Sequence, residues 1–135
     1  MKKNGFTLVE LLAVILLLTL IITLFIPNAL KLLNENNLKV YKIKEEQLVK
    51  SAKDYTYDSN FTSPTSTNPV YITITDLSNG NYLDKILDAS TGNECIAFVK
   101  VTLNSIDGYD FEPCIICDEY KTDNNFCSMS NYQNL

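Results

Sequence analysis

The chain has no histidine, no tryptophan and no arginine. Without histidine it lacks the commonest general base and a favoured metal ligand. All eleven basic residues are lysines, and with abundant asparagine this is the composition of an AT-rich genome. A glycine-rich phosphate loop, a metal-binding carboxylate run and a nucleophile–base set are also missing, so the sequence points to no enzyme and implies no cofactor and no metal. Positive charge is scarce in the second half. Asp54 to Leu135 hold 12 acids and 3 lysines, a net −9, whereas Phe6 to Lys53 hold 4 acids and 6 lysines, a net +2. The acidic half should repel nucleic acid and anionic membrane, because affinity for either needs clustered basic residues.

Apolar residues are plentiful: 46% of 135 residues are hydrophobic, enough for one domain and too few for two. Glu10 is the one charge in the 21 residues Phe6 to Ile26, and about 20 apolar residues span a bilayer as a helix. Lys2 and Lys3 precede the run, which keeps the N-terminus in the cytoplasm and exports the chain beyond Ile26. A cleaved secretory signal fits poorly, since the run is too long and "LFIPNAL" offers no small-x-small site. A plain anchor accounts for the length but not for Glu10. A charge well inside the bilayer costs roughly 2.5–3.5 kcal/mol, so an intramembrane carboxylate is a functional-site candidate unless it simply reaches the headgroups.

The stretch "KNGFTLVELLAVILLLTLII" closely resembles the class III signal of type IV pilins and pseudopilins: a short basic leader ending in glycine, then phenylalanine, "TLVE" and an apolar helix. The resemblance implies cleavage between Gly5 and Phe6 by a prepilin peptidase and N-methylation of the new Phe6 amine. It also implies assembly from the membrane, through an inner-membrane platform, into a homo- or hetero-oligomeric filament. In that family the glutamate equivalent to Glu10 neutralises the amine of a neighbouring subunit. An unpaired buried charge is costly and an opposite charge relieves it, so Glu10 becomes a docking group for subunit assembly. The machines this family serves include adhesive or motile pili, secretion pseudopili and DNA-uptake (competence) pili. The resemblance is specific over residues 2 to 27 and architectural beyond.

The helix should continue outside the membrane. Residues 28 to 57 contain no glycine or proline, and Leu30, Leu33, Val40, Ile43, Leu48, Ala52 and Tyr55 form an imperfect helical stripe. Lys42, Glu45 and Glu46 lie at pairing distances on the polar side. From Phe6 to Tyr57 such a helix would run roughly 78 Å. Pro27 removes one backbone bond and presses on the Thr23 carbonyl, which predicts a kink or a short melted turn. Pilins commonly carry proline at this distance, and the resemblance extends to Pro27; the lesser alternative is that it marks the end of an ordinary membrane helix. "DSNFTSPTSTNP" (58–69) reads as a polar loop in which Asn60 matches a glycosylation acceptor only weakly. "VYITI" reads as a strand, and "TDLSNGNYLDKIL" as a short helix capped by Thr75.

"CIAFVKVTL" (95–103) and "YDFEPCIIC" (109–117) both alternate with period 2, and "NSIDG" between them is a turn. A five-residue loop sets Leu103 opposite Tyr109 and, in the same register, Cys95 opposite Cys117, with both apolar faces coinciding. Pro113 suggests an edge strand. Cys114 points to the other face, leaving Cys127 as its partner. Of the three connectivities, Cys95–Cys117 with Cys114–Cys127 is preferred. A four-thiolate zinc site is the rival, although the outer cysteines lack a second CxxC pair. Asp107, Asp110 and Asp118 lie near loops without forming an evident calcium site.

The expected architecture is α+β: leader 1–5, transmembrane and assembly helix 6–27, amphipathic helix 28–57, and a pilin-like head 58–135 containing a small antiparallel sheet. The expected role is a structural subunit of a type IV pilus or pseudopilus. It would be a single-pass membrane protein in contact with lipid, head outside, and part of an extracellular filament after assembly. The alternative is a monomeric membrane-anchored extracellular binding domain, with an uncut N-terminus and tolerance of Glu10→Gln.

Overall fold

The protein is described by a computed structural model covering residues 5–58, 61–104, 106 and 108–135, with the side chains of Asn28, Leu30 and Lys31 excluded. Leader residues 1–4, the glycosylation-like Asn60 and the loop acid Asp107 lie outside the described residues. The chain forms two compact units, Met1–Leu38 and Lys39–Leu135. In chain order the elements are α1 (Leu8–Tyr55), β1 (Val70–Thr73), α2 (Ile74–Asn79), β2 (Ile96–Asn104), β3 (Gly108–Ile116) and α3 (Met129–Gln133). The long helix with its small antiparallel sheet is an α+β arrangement.

In the first unit, α1 shows its apolar side chains all round. The large hydrophobic residues from Phe6 to Ile26 are 44% (Val14) to 79% (Leu8) exposed. The hydroxyls of this stretch turn back on their own helix: Thr19 donates to the Ile15 carbonyl at 2.5 Å and Thr23 to that of Leu20 at 2.9 Å. Neither hydroxyl there needs water, as a lipid environment requires. Pro27 lies inside α1, and the helix passes through it unbroken, without the melted turn that proline could have caused. Proline deletes a single N–H bond, and the turns on either side keep the backbone helical.

In the second unit, α1 lays Leu48, Ala52 and Tyr55 on the sheet. Leu48, Ala52, Ile72, Leu77, Ile86, Ala97, Val99, Val101 and Ile115 form one core, in which each buried Leu, Ile or Val contributes about 1.5–3 kcal/mol. The sheet order is β1-β2-β3, antiparallel throughout. β2 and β3 pair in the register Leu103↔Tyr109, Val101↔Phe111, Val99↔Pro113 and Ala97↔Ile115. Pro113 sits on an edge strand, where its missing N–H costs no ladder bond on the open side. The pairing extends to Asn104↔Gly108, so the connection is shorter than the five residues "NSIDG", and Gly108 takes a φ of 97° there. α2 begins two residues earlier than the sequence suggested. Thr73, not Thr75, is the N-cap, because only Thr73 has an acid at the N3 position. Asp76 accepts from the Thr73 N–H at 2.9 Å and completes a capping box.

Candidate functional site

At the start of α1, "TLVE" builds its own cap. The Glu10 N–H donates to Thr7 Oγ1 at 3.3 Å, and Glu10 Oε2 accepts from the Thr7 N–H and hydroxyl, both at 3.4 Å. This is the reciprocal capping-box pattern, which satisfies donors a helix start leaves open. The T-x-x-E spacing announces it, and the sequence reading passed it over. Glu10 Oε1 takes no bond among the described residues, so one acceptor oxygen stays available to an outside donor. Just upstream, Phe6 is 73% exposed, and a Cβ added at Gly5 would meet nothing within 4 Å. Gly5 and Phe6 are both exposed among the described residues. Of the residues singled out, Gly5, Phe6 and Glu10 lie together at this helix start, and Pro27 lies on the same helix well away from them.

The second set of candidate residues is in the head. Cys95 bonds Cys117, and Cys114 bonds Cys127. Their four sulfurs therefore offer no thiolates. The grouping of Asp88 with Cys95 and Cys117, ligand atoms within 4.8 Å of one another, lacks the donors a zinc site requires. The Cys114–Cys127 bond lies in a second small core on the other face of the sheet. There Phe98 is fully buried beneath Phe126 and Tyr132, with ring centroids 6.0 Å from each.

Asp88 ties the loop after Ile86 to the loop after β3. Its Oδ1 accepts from the N–H groups of Ser90 at 2.7 Å and Thr91 at 3.1 Å, and its Oδ2 from the Glu119 N–H at 3.1 Å. Burial alone would raise this carboxyl, but the bonds from Ser90, Glu119, Thr91 and the Tyr41 hydroxyl outweigh it and hold the group at about 2. Asp118 accepts from the Thr91 hydroxyl at 2.9 Å and the Asn93 amide at 2.7 Å. Asp110 is held separately by Asn104 at 3.0 Å, so the structure does not bring these two acids together. Glu45 turns towards the head and away from Lys42, accepting from Tyr120 at 2.8 Å and Thr122 at 2.6 Å. Burial first, then the bond to Glu45, push the Tyr120 hydroxyl up to about 12. Its ring stacks on Tyr41 with centroids 4.1 Å apart. The sequence reading missed this knot, although Asp88 followed by Ser90 and Thr91 is an Asx-turn signal.

A depressed carboxyl stabilises the fold above its unfolded pKa of roughly 3.9 and loses that contribution as pH falls through its folded value. The wild-type head should therefore lose stability between about pH 4 and about pH 2. Asp88→Asn should be less stable at neutral pH and flatter across that window, read from denaturant midpoints by tyrosine circular dichroism. Equal slopes in the two proteins would mean that Asp88 does not carry the acid sensitivity.

Residues 1–26 match the family model of the prokaryotic N-terminal methylation motif. The chain therefore carries a type IV pilin-like prepilin signal, placed over the capped helix start. Among the described residues, α1 is the one helix long and apolar enough to cross a membrane. Motif and helix together fit a type IV pilin or pseudopilin with a membrane anchor, and they suggest a structural subunit, not an enzyme. Comparison of the chain with curated proteins and with solved structures finds no match.

Proposed function

We propose that the chain is a structural subunit of a type IV pilus or pseudopilus. It would be cut between Gly5 and Phe6, methylated at the Phe6 amine, held in the membrane by α1, and assembled into a filament. The observation that carries this reading is the methylation motif at residues 1–26, lying on an exposed Gly5–Phe6 bond followed by an apolar helix with Glu10 near its start. The uncovered apolar surface from Phe6 to Ile26 supports it. Lipid covers such a surface before assembly, and the helices of other subunits would cover it afterwards. Glu10 would keep its Oε2 on Thr7 and use Oε1 to receive the Phe6 amine of a neighbouring subunit.

The test is peptide mass spectrometry on protein from membranes of cells with an active prepilin peptidase. The expected product is an N-terminal peptide beginning at Phe6 and carrying one added methyl group. A chain still beginning at Met1 would reject the processing step and favour an uncut, anchored binding domain.

A further inference from the structure

The solvent face of α1 within the head unit carries lysines that no acid pairs with among the described residues. Lys39, Lys42 and Lys50 are exposed, and among the described residues none has a hydrogen-bond, ion-pair or ring partner. The other two lysines of this stretch are occupied: Lys44 donates to the Leu87 carbonyl, and the Lys53 ammonium lies 5.5 Å from the Phe111 ring centroid. At 3.6 residues per turn, Lys39, Ile43, Glu46 and Lys50 fall on one strip with Lys42 at its margin. The strip is opposite the face that buries Tyr41, Leu48 and Ala52. Ile43 is 54% exposed there. Glu46 stands four residues from both Lys42 and Lys50 and bridges neither.

The complementary sign is elsewhere on the same unit. Asp118, Glu119 and Asp123 are exposed on the loop between Cys117 and Cys127, with Lys121 the one base among them. This loop is held in place: a disulfide leaves each of its ends, and the Glu119 N–H is bonded to Asp88. Asp118 accepts only from neutral donors, the Thr91 hydroxyl and the Asn93 amide, among the described residues. Neither Glu119 nor Asp123 forms an ion pair with any lysine among the described residues.

We propose that the strip Lys39–Lys42–Ile43–Lys50 docks the acidic loop 118–123 of a second copy of this chain. The inference rests on the pilin reading above. Two different, complementary patches on one chain make a heterologous contact, and such a contact, repeated without closing, builds a helical filament. Single exposed ion pairs contribute little, but several arranged with matching sign orient the partners and speed their encounter.

The test is the filament yield of Lys39→Glu/Lys42→Glu/Lys50→Glu, alone and combined with Glu119→Lys/Asp123→Lys, beside the wild-type chain in cells with an active prepilin peptidase and pilus-assembly platform. The triple reversal should lower the yield about tenfold with membrane-embedded protein and both disulfides unchanged, and the combined variant should recover most of the loss. Sheared wild-type filaments should also fragment more readily as salt rises from about 0.05 M to about 0.5 M. Normal filaments from the triple reversal, or no recovery in the combined variant, would overturn the docking surface and leave the pilin reading standing. Wild-type chains left uncut and forming no filaments would overturn both.

Discussion

Glu10→Ala should leave the chain in the membrane yet lower its filament yield about 100-fold. On the proposed assembly route, a neighbouring Phe6 amine then enters the bilayer without its counter-charge. A charge left unpaired at that depth costs roughly 2.5–3.5 kcal/mol, and each 1.4 kcal/mol is about a factor of ten. The structure supplies a control for the competing explanation. Glu10 also caps its own helix through Thr7, and losing that cap could weaken the helix start by itself. Glutamine serves a capping box as well as glutamate does, but it carries no charge. If Glu10 acts by charge, Glu10→Gln should assemble as poorly as Glu10→Ala. If capping is what matters, Glu10→Gln should assemble normally and Glu10→Ala alone should fail. Membrane fractionation with electron microscopy of sheared filaments reads both quantities.

Cys114→Ala/Cys127→Ala should destabilise the head by about 3 kcal/mol. The bond closes a loop with a sequence separation of 13, and the cost comes mainly from the freedom the unfolded chain regains. For a unit of this size that corresponds to a Tm lower by roughly 15 °C, measured by circular dichroism of the full chain in detergent. The tail should loosen before the rest. It is polar, and it is otherwise fastened by Phe126 and Tyr132 over Phe98 and by the Asn124 amide on the Pro113 carbonyl at 2.8 Å. Limited proteolysis should therefore cut between residues 118 and 135 in the variant while sparing the sheet. A Tm within about 3 °C of wild type would show that the rings and Asn124 hold the tail unaided.

Residues close together in the chain specify several of these features on their own. Two lysines, the Gly5–Phe6 junction and a long apolar run are contiguous, and a run of that length and composition favours a helix wherever water is absent, because its backbone groups must then bond within the segment. The hairpin is nearly as local. Alternation in 95–103 and 109–117 admits one register that keeps both apolar faces inward, and β2 and β3 adopt it with Leu103 opposite Tyr109. In that register Cys95 and Cys117 face one another, where the structure has a bond.

Other features exist only because distant segments meet in the folded chain. Phe98 lies on the nominally outward face of β2, and only the arrival of Phe126 and Tyr132, about 30 residues later, buries it. Glu45 looked like a surface partner for Lys42 but faces Tyr120 and Thr122, because docking the helix on the sheet offers two fixed hydroxyls. Asp88 acquires its low pKa from N–H groups of two loops and a helix hydroxyl. Periodicity carries no record of such meetings, since a carboxylate's partners are set by the packing of elements far apart in sequence.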